Sequence, residues 1–242
     1  MHLETAADWL RALVPVLLAG QPEDWVRSWR RSLQGLGGPV SFRVVHAWQA
    51  EVVLSRLPGN GTEDIDHAAL AALQQLHRRA ALGLNGRRGE WLAALKPLLP
   101  ALYRRAFPYA AGYARAHEIA LEYATAPANT AMIAEHFGDA RGYADYYAEL
   151  STEANAAAFA DANSRAYAQM AASIYADNDA AGYAGICVGA TRVWALACAG
   201  GGEQDGDSRR QILRDLAEGL NRCLIDAAPV AAGHFSGEPH EQ

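Results

Sequence analysis

The sequence predicts an all-α fold, a single-domain bundle of about eight or nine helices with an Ala/Tyr-rich central helix layer. Three observations lead there. Apolar residues recur at three- and four-residue intervals, a Tyr/Ala pattern repeats every four residues in the middle of the chain, and the composition can fill a core, with 51% hydrophobic and 20% charged residues among 242. Residues 1–226 read as one all-helical domain, with Trp-bearing helices over 1–87 and the Tyr/Ala layer over 103–183. Residues 227–242 read as a flexible tail.

Thr5 and Asp8 form a capping box ahead of a helix carrying Trp9, Leu10, Leu13 and Leu17, with Pro15 as a kink. A second helix starts at Pro22, where Glu23 and Asp24 favour the N-terminal dipole and Trp25 and Trp29 lie one turn apart. It stops near residues 35–38. Over 41–57 the valines suit a strand, but Val44, Trp48 and Val52 repeat every four residues, and the length favours a helix. Pro58, Gly59, Asn60 and Gly61 make a turn. Asp66 caps the next helix, whose Leu70, Leu73 and Leu76 form a stripe ending in Arg78 and Arg79. After a loop over 83–89, Pro97, Pro100 and Pro108 predict short helical pieces. The last helix opens near Asp207 or Ser208, with Ile212, Leu213, Leu216, Leu220 and Cys223 on one face.

The middle of the chain is compositionally distinct. All ten tyrosines lie between Tyr103 and Tyr183, and no tryptophan does: the six are Trp9, Trp25, Trp29, Trp48, Trp91 and Trp194. On a helix over 108–123, Tyr109, Tyr113, His117, Ala120 and Ala124 fall on one arc, opposite Arg115, Glu118 and Glu122. From Tyr143 onward, Tyr147, Ser151, Asn155, Phe159, Asn163, Tyr167, Ala171 and Tyr175 continue a four-residue period. Each such step overshoots a 3.6-residue turn by about 40°, so the stripe winds around the helix. Either the helix breaks near Ser151 and Thr152, or it is a central helix contacted on different sides at its two ends.

The net charge of −6 argues against nucleic-acid binding, which needs a clustered positive surface. The charge is uneven: residues 1–122 carry 14 basic and 11 acidic groups, and 123–242 carry 7 and 16, so the second half attracts cations. The segment around Leu13 lacks a basic flank and is broken by Pro15, so no export signal or membrane span is expected. Cys187, Cys198 and Cys223 are an odd number in a chain too long to need staples, which suits a reducing cytoplasm. The 52 alanines, 20 arginines and single lysine suit a GC-rich bacterial source.

Several motifs fail on inspection. His117 and Glu118 begin like a zinc-protease motif, but Leu121 stands where the second histidine belongs, and no metal site is expected. Gly185, Cys187 and Gly189 imitate a nucleophile elbow without the strand that motif requires; the glycines read as helix-packing positions and Cys187 as a small core residue. Asp177, Asn178 and Asp179 read as a turn and cap, since Val188 occupies the position of a calcium loop's glutamate. Gly200, Gly201 and Gly202 lack the lysine of a phosphate cradle.

What remains is a small-molecule pocket within the helical body. Tyr109, Tyr113, Tyr147, Asn155, Phe159, Asn163 and Tyr167 are its expected lining, and His117 its acid/base group. The expected ligand is a polar or cationic small molecule, and the expected setting is bacterial specialised metabolism, as a sequestering or resistance protein or a cyclase-like or lyase-like enzyme needing no cofactor. The alternative is an immunity-type or assembly module without catalysis, whose surface is the acidic second half. A homo-oligomer through Trp25, Trp29 or Trp48 is a further expectation.

Overall fold

The computed structural model describes residues 6–34, 40–57, 64–199 and 206–228. Among them are ten α-helices and no strand. Thr5, the turn at residues 58–61 and the tail from residue 229 lie outside the described residues, as does the stop at residues 35–38.

α1 (Asp8–Leu17) and α2 (Glu23–Ser32) are followed by α3 (Arg43–Trp48), which continues through a π-helical turn (Gln49–Val53) and a 3₁₀ turn (Leu54–Arg56). The expected helix over 41–57 thus forms with a widened and then tightened end. α4 (His67–Ala81) is capped as expected: Asp66 Oδ1 accepts from the Ala69 amide at 2.9 Å. α5 (Arg88–Ala106) runs through Pro97 and Pro100 without breaking, which corrects the expectation of short pieces. Both prolines are exposed, so the carbonyls they leave unbonded face water, and a helix tolerates such a bend on its solvent side.

The chain then turns at Phe107 and Pro108 into α6 (Tyr109–Thr125), followed by α7 (Thr130–Phe137) and α8 (Ala140–Asp177), a single helix of 38 residues. There is no break at Ser151 and Thr152. Its buried face is the small residue beside each larger one: Ala144, Ala148, Thr152, Ala156, Ala160, Ser164, Ala168 and Ala172. This small-residue stripe has the same four-residue period and therefore winds. α6 packs on its first half and α5 on its second, both antiparallel to it, as shown by Tyr113 at Asp145 and Arg88 at Ser173. The bend at Pro108 lets this two-helix track follow a stripe that one straight helix would leave.

Asn178 closes α8 in the left-handed region (φ 53°), and Asp179 caps α9 (Ala180–Cys198) through the Gly182 amide at 2.9 Å. α10 (Gly206–Asp226) lies under two tryptophans: Trp29 Nε1 donates to the Ala217 carbonyl at 2.9 Å and Trp48 Nε1 to that of Leu216 at 3.0 Å. Gly185 and Gly189 are exposed with open space beside them, so close helix packing is not their role.

The radial order differs from the expected one. Trp9, Trp29, Trp48, Trp91 and Trp194 are buried, and one apolar cluster runs from Ala6 to Leu224. Its polar hub joins α3, α4, α5, α8 and α9: His46 and His77 meet among the rings of Trp91, Tyr175, Phe42 and Tyr183. The second half of α8 enters this cluster; the first half, with α6 and α7, forms an arm outside it with a thin core of Ala120, Ala124, Ile133, Ala144, Ala148 and Ala156. α9 is the one described helix long and apolar enough to cross a bilayer, but Tyr183, Cys187, Trp194 and Ala195 bury it against the other helices.

Candidate functional site

The arm holds the expected acid/base residue. α6 turns Ala120 and Ala124 fully into α8 and carries Tyr109, Tyr113 and His117 toward the same partner. On α8, Asp145, Glu149 and Glu153 follow the buried stripe along one flank, four residues apart. The two rows engage. Tyr113 donates its hydroxyl to Asp145 Oδ1 at 3.1 Å, and His117 Nε2 lies 3.2 Å from the same oxygen. The Tyr113 and His117 rings stack with centroids 6.1 Å apart. Glu153 binds Arg104 and lies near enough to the Tyr109 phenol for its charge to be felt there. Removal from water, then the hydrogen bond to a carboxylate and its charge, hold the Tyr109 and Tyr113 phenols above their ordinary value, so both remain donors at neutral pH. His117 is thus oriented by a carboxylate, the arrangement an acid/base histidine requires.

The remaining expected lining residues do not join it. Tyr147 is exposed and stacks on Tyr143, with centroids 6.1 Å apart, on the opposite flank of α8 from Asp145. Phe159 wedges between Tyr103 and Phe107 where the arm leaves the body. Tyr167 is buried in the core, its hydroxyl 3.4 Å from that of Tyr175. Asn155 and Asn163 are exposed, contrary to the expectation of amides carried inward; their side chains bond back to Ser151 Oγ at 3.5 Å and the Phe159 carbonyl at 2.8 Å. The reason is steric: a close helix contact selects alanine at the interface and pushes the larger neighbour of each pair to the flank. Four grooves of about 370 to 750 Å³ lie on other parts of the molecule, and none of the four is lined by these residues. Among the described residues, no three His, Cys, Asp or Glu side chains gather as a metal centre would.

The sequence reading missed the tip of the arm. Tyr123, Phe137, Tyr143, Tyr146 and Tyr147 form a continuous ring cluster with centroid separations of 5.0 to 6.1 Å. Among the described residues, eight of the twelve large exposed apolar side chains lie on α6, α7 and the first part of α8, among them Ile119, Met132, Tyr146 and Leu150. That concentration marks the arm as the protein's apolar surface. It is also acidic, with seven carboxylates against Arg115 and Arg141 over residues 109–160. The signal lay in the Tyr146–Leu150 spacing, an outward pair one turn apart between the two flanks of α8.

Trp29 and Trp48 are buried, and Trp25 is half-buried beneath Arg214, whose guanidinium carbon stands 5.0 Å from its ring. Trp29 and Trp48 offer no exposed face for a second copy. All three cysteines are free thiols, and burial pushes the Cys187 thiol up to about 11, so it is a core residue and a poor nucleophile. The chain matches no family model, no curated protein and no solved structure.

Proposed function

We propose that this chain is a protein-interaction module of the immunity or assembly type, and that the arm of α6, α7 and the first half of α8 is its docking face. The observation that carries the reading is the concentration of exposed rings and aliphatic side chains on one acidic projection. Exposed apolar patches of this kind are commonly partner surfaces, and aromatic anchors supply most of the binding energy at such interfaces. The partner it suits presents arginine or lysine beside apolar residues, because carboxylates and tyrosine faces both attract cations and a charged face speeds encounter. Three free thiols and the absence of an unburied bilayer-length helix among the described residues support action in the cytoplasm.

The test is titration of the purified partner, recovered by affinity capture, against two arm variants. Tyr146→Ala with Leu150→Ala weakens binding at least tenfold, and Asp145→Lys with Glu149→Lys lowers the association rate and removes its salt dependence. Unchanged binding in both variants ends this reading.

A second reading, a cofactor-independent enzyme or binder for a cationic small molecule, is supported by the Asp145 carboxylate on His117 Nε2. Its test is thermal stabilisation by a panel of amines. A shift lost in His117→Ala and in Asp145→Asn supports it, and no shift with any amine removes it.

A further inference from the structure

We infer that a second site, independent of the arm, lies between α1, α9 and α10, and that it binds an amphipathic organic acid: an apolar chain ending in a carboxylate. The groove encloses about 430 Å³, within the range of small-molecule sites. Its walls come from one face of each helix. Pro15 and Val16 belong to α1 and Ala19 to the turn just after it, Ala195 and Leu196 to α9, and Leu213 to α10. Two charged side chains complete it. Arg192 precedes Ala195 and Leu196 by one turn of α9, and Arg209 precedes Leu213 by one turn of α10, so each guanidinium borders the same apolar floor.

Among the described residues neither Arg192 nor Arg209 makes an ion pair or a side-chain hydrogen bond, whereas the next arginines of α10 are each held by an acid on their own helix, Arg210 by Asp207 and Arg214 by Glu218. No carboxylate lines the groove among the described residues. An apolar trough bordered by two guanidiniums that no described acid holds complements a ligand that is greasy along its length and negative at one end. Guanidinium binds carboxylate bidentately, and an alkyl body replaces water over Val16, Ala195 and Leu213. This chemistry is opposite in sign to that of the acidic arm, so the two sites cannot share a ligand.

The experiment is calorimetric titration of the full chain with decanoate, decyl phosphate, decyltrimethylammonium and acetate. Decanoate binds saturably with one-to-one stoichiometry, decyltrimethylammonium does not bind here, and acetate, lacking the chain, binds at least tenfold more weakly. Decyl phosphate reports whether the head-group site distinguishes a carboxylate from a phosphate; tighter binding of the phosphate overturns the carboxylate assignment. Arg192→Gln with Arg209→Gln lowers decanoate affinity at least about tenfold, the scale of one lost charge-assisted bond. Both positions are exposed, so the fold survives, which unchanged circular dichroism checks. Ala19→Trp keeps both charges, fills the trough and abolishes binding. Decanoate affinity unchanged in both variants, equal binding of the cationic and anionic amphiphiles, or no saturable binding overturns the proposal.

Discussion

His46 and His77 meet through their Nδ1 atoms at 3.0 Å, and His46 Nε2 lies 2.9 Å from Asn178 Oδ1. The amide oxygen accepts, so His46 carries its proton on Nε2 and offers a lone pair at Nδ1, into which His77 donates. Both imidazoles are neutral, and the chain of bonds ties α3 and α4 to the left-handed residue that ends α8. Tyr175 of α8 packs its ring on both imidazoles, and Tyr183 of α9 stands behind it against Tyr175 and Phe42; burial holds both phenols protonated.

Burial lowers His46 to about 4 and His77 well below its ordinary value. The unfolded chain takes up these protons below about pH 6.5 and the folded chain does not, so stability is complete above 6.5 and falls as the pH drops toward 4. Urea unfolding is expected to lose on the order of 4 kcal/mol for the pair between pH 7.5 and 5. His77→Leu costs about 1–3 kcal/mol at pH 7.5, because His46 Nδ1 is left unbonded, and flattens the pH dependence by half. A stability curve level from pH 7.5 to 5 contradicts the assignment.

Gly219 shows where a backbone approach is enforced. A methyl group there would stand 3.0 Å from Val52 Cβ and overlap both of its γ-methyls. Glycine to alanine in a helix ordinarily stabilises by about 1 kcal/mol; here Gly219→Ala is expected to destabilise by about 1–3 kcal/mol through overpacking. Val52→Ala restores most of the loss in the double variant. Thermal melts of the four proteins in this cycle check it, and a more stable Gly219→Ala refutes it.

Thr152 is buried at the foot of the arm, and its hydroxyl has no hydrogen-bond partner among the described residues. An unsatisfied buried hydroxyl carries a desolvation cost of about 1–3 kcal/mol. Thr152→Val keeps the shape and removes that cost, so it is expected to raise the melting temperature. A lower one would mean that the hydroxyl is bonded in solution.

Helical spacing made the fold legible. Leu70, Leu73 and Leu76, the Asp66 and Asp179 caps and the stripe through Leu213, Leu216 and Leu220 are local patterns, and each forms where it was expected. Pro97 and Pro100 misled because a proline's effect depends on which side of the helix meets water, and that is a tertiary fact. His77 was visible in principle, four residues after Leu73 on the buried face, but its partner His46 is 31 residues away and no local pattern joins them. At the arm, the arc through Tyr113 and His117 was correct for α6. For α8 the period was right and the phase was off by one residue, since a four-residue repeat of Tyr/Asn beside Ala describes two parallel stripes and only the helix–helix distance decides which is buried.

That phase gives the last prediction. Ala148 is fully buried in the α6–α8 contact, whereas Asn155 and Asn163 stand in solvent on neighbouring flanks. Ala148→Leu forces the helices apart and is expected to cost about 1–3 kcal/mol, with hydrogen exchange rising in α6 ahead of the body because the arm's core is so thin. Asn155→Ala and Asn163→Ala are expected to remain within about 0.5 kcal/mol of the parent, since each amide bonds only within its own helix. Losses at the asparagines larger than the loss at Ala148 would mean that the large residues of the repeat face inward after all.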